Sequence, residues 1–160
     1  MSTSPSPLIV CLVSVMILVG CGAGPSAPIA QVPPEIVSAP NEIVVGNATL
    51  RLDIYPYRNF QPGISPDTRL IVGFQIAAGA GSIPTGLRAE KAWLVRENEG
   101  WISTPRQEQP PFNAGQVEYI SRAGPEWPVG AVVTGVLQLR DASNHSYLLR
   151  STPRAIGRAD

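Results

Sequence analysis

The side chains that could carry catalysis in this sequence are few, and they form no catalytic constellation. His145 is the only histidine among the 160 residues, and no Asp or Glu accompanies it at metal-ligand spacing. Its position beside Asn144 at a hairpin end predicts a solvated turn residue. A serine hydrolase of the strand-to-helix type needs its nucleophile in a Gly-x-Ser-x-Gly turn, which is absent. We therefore expect no catalytic residue, no metal site and no cofactor, and we expect that the protein is not an enzyme.

The acidic residues offer one further candidate for chemistry. Glu90, Glu97 and Glu99 lie close together in the sequence, and two carboxylates can perform acid–base chemistry when their surroundings separate their pKa values. Glu97 and Glu99, however, flank a predicted tight turn. This position favours solvated charges over a catalytic pair.

Cysteine chemistry is confined to the start of the chain. The only two cysteines are Cys11 and Cys21, so residues 22–160 can form neither a disulfide nor a thiolate metal site. Leu8–Val19 is a twelve-residue apolar run interrupted only by Ser14. It is shorter than the roughly 18 to 20 apolar residues that a membrane-spanning helix needs. Its length is typical of the apolar core of a secretion signal.

The residues that end this run, Leu18-Val19-Gly20-Cys21, resemble the lipobox of bacterial lipoproteins. The resemblance implies a diacylglycerol joined to Cys21 by a thioether, cleavage between Gly20 and Cys21, and acylation of the new amino terminus. It also implies a location in the cell envelope, anchored in the lipid bilayer with the folded part outside the cytoplasm. The residue after Cys21 is not Asp, which favours the outer membrane if the organism has one. The alternative interpretation is a generic signal peptide, or a short membrane anchor, with an incidental cysteine.

Composition divides the rest of the chain into a tether and a folded part. Residues 22–41 contain five prolines, two glycines and one charged residue, Glu35. Such a segment buries too little apolar surface to offset the entropy of ordering it, so we expect a semi-extended tether from which Ile36-Val37 docks locally on the domain. The predicted organisation is a signal peptide over 1–20, a Pro/Gly-rich disordered tether over 21–41, a β-sandwich domain over 42–155 and a C-terminal tail over 156–160.

From about residue 42 the sequence alternates apolar and polar residues, as half-buried strands do. Leu50, Leu52 and Ile54 would share one face of a strand. Turn residues separate such segments, and no helical stretch of convincing length occurs. Strands are predicted over 48–54, 69–76, 87–96, 101–104, 116–121, 131–140 and 145–151.

About seven short strands predict an all-β fold, a single antiparallel β-sandwich with one core. Over residues 42–155 the pattern resembles immunoglobulin-like and fibronectin-type-III-like domains of bacterial surfaces. A small β-barrel is the alternative, because strand number alone does not decide closure.

The aromatic residues are the candidates for binding. Tyr55, Tyr57 and Phe60 cluster beside a proline-containing loop, and aromatic side chains offer large rigid contact areas at binding sites. We expect these three to form a binding surface. Trp93 and Trp101 are expected to pair across a hairpin, and Trp93 is expected to lie in the core together with Trp127.

Charge excludes one class of partner. The formal net charge is zero, and the 11 Arg and the single Lys, Lys91, are spread along the chain. This gives no electrostatic field that would attract nucleic acid. We expect a non-catalytic binding or structural domain whose loops 55–68 and 105–116 contact an unknown envelope protein or glycan. Two alternatives are a protease inhibitor that presents Thr104–Pro111 and a catalytically silent accessory subunit of an envelope complex.

Overall fold

A computed structural model describes residues 31–61, 68–108 and 115–160. Within these ranges the chain forms one short helix and eleven strands. They are α1 (Pro34–Val37), β1 (Glu42–Val45), β2 (Ala48–Asn59), β3 (Leu70–Ala80), β4 (Arg88–Arg96), β5 (Glu99–Ser103), β6 (Arg106–Gln107), β7 (Gln116–Ser121), β8 (Val132–Arg140), β9 (Ser146–Arg150), β10 (Arg154–Ala155) and β11 (Gly157–Ala159).

The strands form two sheets, so the predicted all-β sandwich is confirmed. In the first sheet the order is β1-β2-β3-β7-β6, and β11 also pairs with β2. In the second sheet the order is β10-β8-β4-β5, and β9 also pairs with β8. All pairings are antiparallel except that of β11 with β2, which is parallel.

The core lies between the two sheets and follows the alternation of the sequence. Every second residue of β2 and β3 points inward because side chains alternate between the faces of a strand. Each such side chain contributes about 1.5–3 kcal/mol when it is removed from water. The buried residues of these two strands include Leu50, Leu52, Ile54, Leu70, Val72, Phe74 and Ile76.

A glycine allows the sheets to approach closely at one point. Gly135 of β8 faces β2, and a Cβ atom built on it would lie 2.6 Å from Cγ2 of Ile54 and 3.1 Å from Cε1 of Phe74. Any larger residue would therefore overlap the core.

The C-terminal part of the chain joins the two sheets along one edge. Ser151, directly after β9, donates its amide to the Gly135 carbonyl, and its Oγ accepts the Gly135 amide at 2.9 Å. The same residue forms a parallel bridge with Leu52 of the first sheet. The chain then pairs with β8 through β10 and with β2 through β11.

Residues 156–160, which the sequence predicts to be a tail, therefore belong largely to the sandwich. Ile156 is buried in the core, and Gly157–Ala159 form β11 beside β2. The prediction was wrong here because three residues with small and charged side chains show no alternation. Their place in the sheet depends on backbone hydrogen bonds.

The end of the predicted tether also packs on the domain, and we name residues 33–41 the strap. Within it, Ile36 of α1 and Ala39 are buried against Trp93 and Val136 on the outer face of the second sheet. The expected docking of Ile36 is thus present. Cys21 and the residues up to 30 lie outside the described residues, as do the predicted signal peptide and cleavage position.

The expected pairing of Trp93 with Trp101 is wrong. Trp93 lies opposite Ile102, whereas Trp101 lies opposite Leu94. Because paired residues lie on the same face of a sheet, Trp101 of β5 shares the core side of Leu94, whereas Trp93 of β4 points to the outer face, where the strap covers it. Trp127 is buried in the main core, as expected.

Candidate functional site

The candidate binding surface is the outer face of the first sheet around Tyr55. Because Ile54 and Pro56 point inward, the residues on either side of each must point outward. Tyr55 is 47% exposed. Tyr57 is half-buried, since its backbone neighbours are Ile71 of β3 and Gly157 of β11.

Phe60 does not belong to this surface. It follows the end of β2, and its ring contacts two arginines whose guanidinium carbons stand 5.1 Å (Arg58) and 4.5 Å (Arg158) from its centroid. Arg58 is held in turn by the carbonyl oxygen of Thr68, which accepts from Nε at 2.7 Å. The expected three-residue cluster is therefore split. Tyr55 and Tyr57 lie on the outer face of the first sheet, which we name the tyrosine face, whereas Phe60 belongs to a separate cation–π group at the end of the sandwich.

A row of polar side chains crosses the strands beside Tyr55. The Tyr55 hydroxyl donates to Oε1 of Gln75 at 2.8 Å, and Nε2 of Gln75 donates to Oε1 of Gln116 at 3.3 Å. Gly73 lies opposite Tyr55 on β3. A Cβ there would stand 3.1 Å from Oε1 of Glu118 and 3.6 Å from Cδ2 of Tyr55. The missing side chain leaves a notch between the tyrosine ring and the carboxylate.

The surroundings of Tyr55 raise the pKa of its phenol. Partial burial, followed by the carboxylates of Asp53 and Glu118, raises the pKa of Tyr55, and the nearby Arg154 opposes this only in part. Arg154 itself is engaged by Asp53, whose two carboxylate oxygens accept from Nε at 3.0 Å and Nη2 at 2.9 Å. The surface therefore combines an exposed ring with hydrogen-bonding amides and carboxylates, which suits binding of a polar ligand or partner.

The acidic residues considered for acid–base chemistry are engaged in separate places. Oε2 of Glu99 accepts from Nη2 of Arg96 at 3.0 Å and from Nε1 of Trp127 at 3.2 Å. Oε1 of Glu90 accepts from Nε of Arg140 at 2.6 Å. Glu97 is exposed in the turn between β4 and β5, with a φ of 53°. These carboxylates do not share a site.

His145 is in a hairpin turn, as expected, but it has an acidic partner. Its Nδ1 lies 3.3 Å from Oδ2 of Asp141, which also accepts the Tyr147 hydroxyl at 2.9 Å. Desolvation opposes ionisation of Asp141, but the hydrogen bonds from His145 and Tyr147 outweigh it and lower the pKa of Asp141. Across the described ranges, no three His, Cys, Asp or Glu residues are grouped so as to hold a metal ion.

The segment considered for protease inhibition is partly built into the sheet. Arg106 and Gln107 form β6, which pairs with Ile120 and Tyr119 of β7. The Glu108 amide continues the pairing by donating to the Glu118 carbonyl oxygen at 3.0 Å. The expected free loop is thus an edge strand over these residues, and residues 109–111 lie outside the described residues.

Comparisons with known proteins leave the site to be judged on its own geometry. No protein-family model, curated protein or solved structure matches this chain. Among the described residues there is no helix with the length and apolarity to cross a bilayer.

Sequence reasoning missed the strap as a structural element. Its helix, α1, begins at a proline and has Glu35 in its first turn, which are signals of a helix start, but it has no side-chain N-cap and only four residues, too few for a helical period to show. A further signal that was available is apolar spacing, since Val32, Ile36 and Ala39 stand three to four residues apart.

Proposed function

We propose that this protein is a lipid-anchored protein of the bacterial cell envelope, and that its sandwich is a non-catalytic binding module. The observation that carries the proposal is the lipobox-like Leu18–Cys21, which nine residues separate from Gln31, the first residue that the structure describes. Two or more acyl chains hold a protein on a membrane stably, because each buried methylene contributes about 0.8 kcal/mol.

The order of the strands supports the resemblance to immunoglobulin-like domains. Such sandwiches place strands A-B-E-D in one sheet and C-F-G in the other, and some add C′ beside C. The order β2-β3-β7-β6 corresponds to A-B-E-D, and β5-β4-β8-β9 corresponds to C′-C-F-G. Three short strands, β1, β10 and β11, are additions to that arrangement.

The tyrosine face supports a binding role for the sandwich. Tyr55 presents an exposed ring beside a glycine notch, and the polar side chains around it can hydrogen-bond to a partner. Aromatic residues with few rotatable bonds contribute contact area at a low entropic cost. We therefore assign the partner, an envelope protein or a glycan, to this face.

The lipid anchor is tested by mass spectrometry of the native N-terminus. We expect an acylated Cys21 as the first residue and no residues 1–20. The Cys21→Ala protein should leave the membrane fraction, whereas the matched Cys11→Ala protein should stay there, because Cys11 lies in the part that is removed. An uncleaved, unmodified N-terminus contradicts the proposal.

The binding face is tested with three alanine variants. Tyr55→Ala and Tyr57→Ala should each reduce capture of the envelope partner, measured by crosslinking in cells. Phe60→Ala is the control, because its ring lies outside the tyrosine face. Equal capture by all three variants, at unchanged thermal midpoints, would contradict the assignment of the partner to the tyrosine face.

A further inference from the structure

The strap fixes the place at which the chain joins the fold. Besides the packing of Ile36, the Pro40 carbonyl oxygen accepts the Arg150 amide at 2.8 Å. The Asn41 side chain donates to the carbonyl oxygens of Arg150 and Ser151 at 3.2 and 3.1 Å. The strap is thus held on the outer face of the second sheet by apolar packing at its helix and by hydrogen bonds at its end.

Beside the strap the second sheet leaves apolar surface open. Val37 of the strap is 48% exposed and Val132 of β8 is 59% exposed. Both line a groove of about 320 Å³ whose other apolar walls are Val95, Pro153 and the buried Ile36 and Val136. We name the four of these residues that are not buried, Val37, Val95, Val132 and Pro153, the valine patch. Arg150 and Glu97 lie at the same groove, so its charged residues are one of each sign.

The segment that joins the domain to Cys21 starts next to this patch. Gln31 and Val32 line a neighbouring groove of about 490 Å³ that shares Val37 with the first. Only nine residues, 22–30, separate Gln31 from Cys21. Ten peptide units reach at most about 35 Å when fully extended, and a flexible chain of that length has a root-mean-square span of about 17 Å.

The reach of this segment, compared with the size of the domain, indicates which face of the sandwich lies toward the membrane. A folded unit of about 120 residues has a radius of gyration of about 14 Å, which corresponds to a diameter of roughly 35 Å. The far side of the sandwich could meet the bilayer only with the chain almost fully stretched. The face that carries the strap is within reach at much less than this full length, and so short a connection gives it a high effective concentration at the membrane.

We propose that the valine patch rests on the lipid bilayer to which Cys21 is anchored. The patch contacts the boundary between headgroups and acyl chains, where small aliphatic surfaces of peripheral proteins are buried. The second sheet then faces the membrane, and the tyrosine face of the first sheet points away from it. This inference rests on the proposed lipid anchor.

The experiment supplies the anchor chemically, so that it does not depend on lipidation in cells. The protein spanning residues 21–160 includes every described residue and has Cys21 as its only cysteine. Its thiol is coupled to a maleimide phospholipid in phosphatidylcholine vesicles. A photo-crosslinking phenylalanine analogue replaces either Val132 or Val44, and mass spectrometry identifies what each one captures.

Val44 is the matched control position. It is 65% exposed on β1 and shares the outer face of the first sheet with Tyr55, because it pairs with Thr49. We expect about ten times as much phospholipid adduct at position 132 as at position 44. Val37→Asp should remove most of the adduct at position 132, whereas Val44→Asp should leave it unchanged.

Three outcomes overturn the proposal: equal lipid adducts at both positions, an adduct to a second copy of this chain at position 132, or insensitivity to Val37→Asp at an unchanged thermal midpoint. Failure of the anchor itself is a different result. It appears in the native protein as an unmodified Cys21, whatever the vesicles show.

Discussion

The outer faces of the two sheets differ in polarity. That of the first sheet carries mostly polar side chains: Arg51, Asp53, Tyr55, Gln75 and Glu118. That of the second carries a set of apolar ones: Trp93, Val95, Val132 and Val136. The first set is stable in water without a cover. In the second set the strap covers Trp93 and Val136, whereas Val132 stays 59% exposed beside it. The difference shows that an outer face of a sandwich can carry buried apolar side chains where a neighbouring segment of the same chain covers them.

The largest expected effect tests whether the side chains under the strap, on the outer face of the second sheet, are packed like a core. Trp93→Ala should lower the free energy of unfolding by about 3–5 kcal/mol, because it leaves a cavity under the strap. Chemical denaturation measures the loss. Tyr55→Ala on the first face is the control and should cost less than about 1 kcal/mol, as exposed positions do. Similar losses at both positions would show that the two faces do not differ.

The cover can be weakened without touching the sheet. Ile36→Ala should cost about 2 kcal/mol, the lower end for a buried isoleucine, because a four-residue helix can relax around the cavity. The Arg150 amide, which donates to the Pro40 carbonyl oxygen, should exchange its hydrogen faster in this variant. Val37→Ala, one residue further along and half-exposed, should change neither quantity appreciably.

A smaller effect is expected from the polar face. Arg154→Ala removes the two-point hydrogen bonding with Asp53, but the pair is partly exposed, so the loss of stability should be small and should shrink at high salt. A double-mutant cycle with Asp53→Asn isolates the pair. A coupling that is large and independent of salt would mean that this face is less open to water than its exposure suggests.

The smallest effect is a dependence on alkaline pH. The pKa of Tyr55 is raised above its ordinary 10.0 by partial burial and by Asp53 and Glu118. The folded state thus favours the neutral phenol, and the resulting stability is full below pH 10 and is lost as pH rises through the folded-state pKa. Ultraviolet titration should show late ionisation of Tyr55. Glu118→Gln should move its pKa down, and an unchanged value would contradict the role of that carboxylate.

The sequence predicted the parts of the fold in which a single face is buried. In β2 and β3, strict alternation identified Leu52, Ile54 and Phe74 as inward-facing, and the structure agrees. The same alternation could have separated Phe60 from Tyr55, because their positions differ by an odd number of residues. That signal was present, but proximity in sequence was given more weight.

The remaining features could not be inferred from periodicity. Strand β4 carries apolar residues on both faces, so nothing in its pattern says which side Trp93 occupies. The strap is recognisable only after the sheet that it covers is known. The side chains of β11 show no alternation, and its place in the sheet depends instead on backbone pairing with β2.

The path of the C-terminal segment has a consequence for the order of folding. Ser151 and the strands after it complete the same edge in both sheets, and their partners in β2 lie about a hundred residues earlier in the chain. A chain made from its N-terminus can form the β2–β3 and β4–β5 hairpins early. It cannot close that edge until residues 151–159 are available. Pairing over such separations slows folding, so we expect the edge of β2 to pair with β11 only after these hairpins have formed.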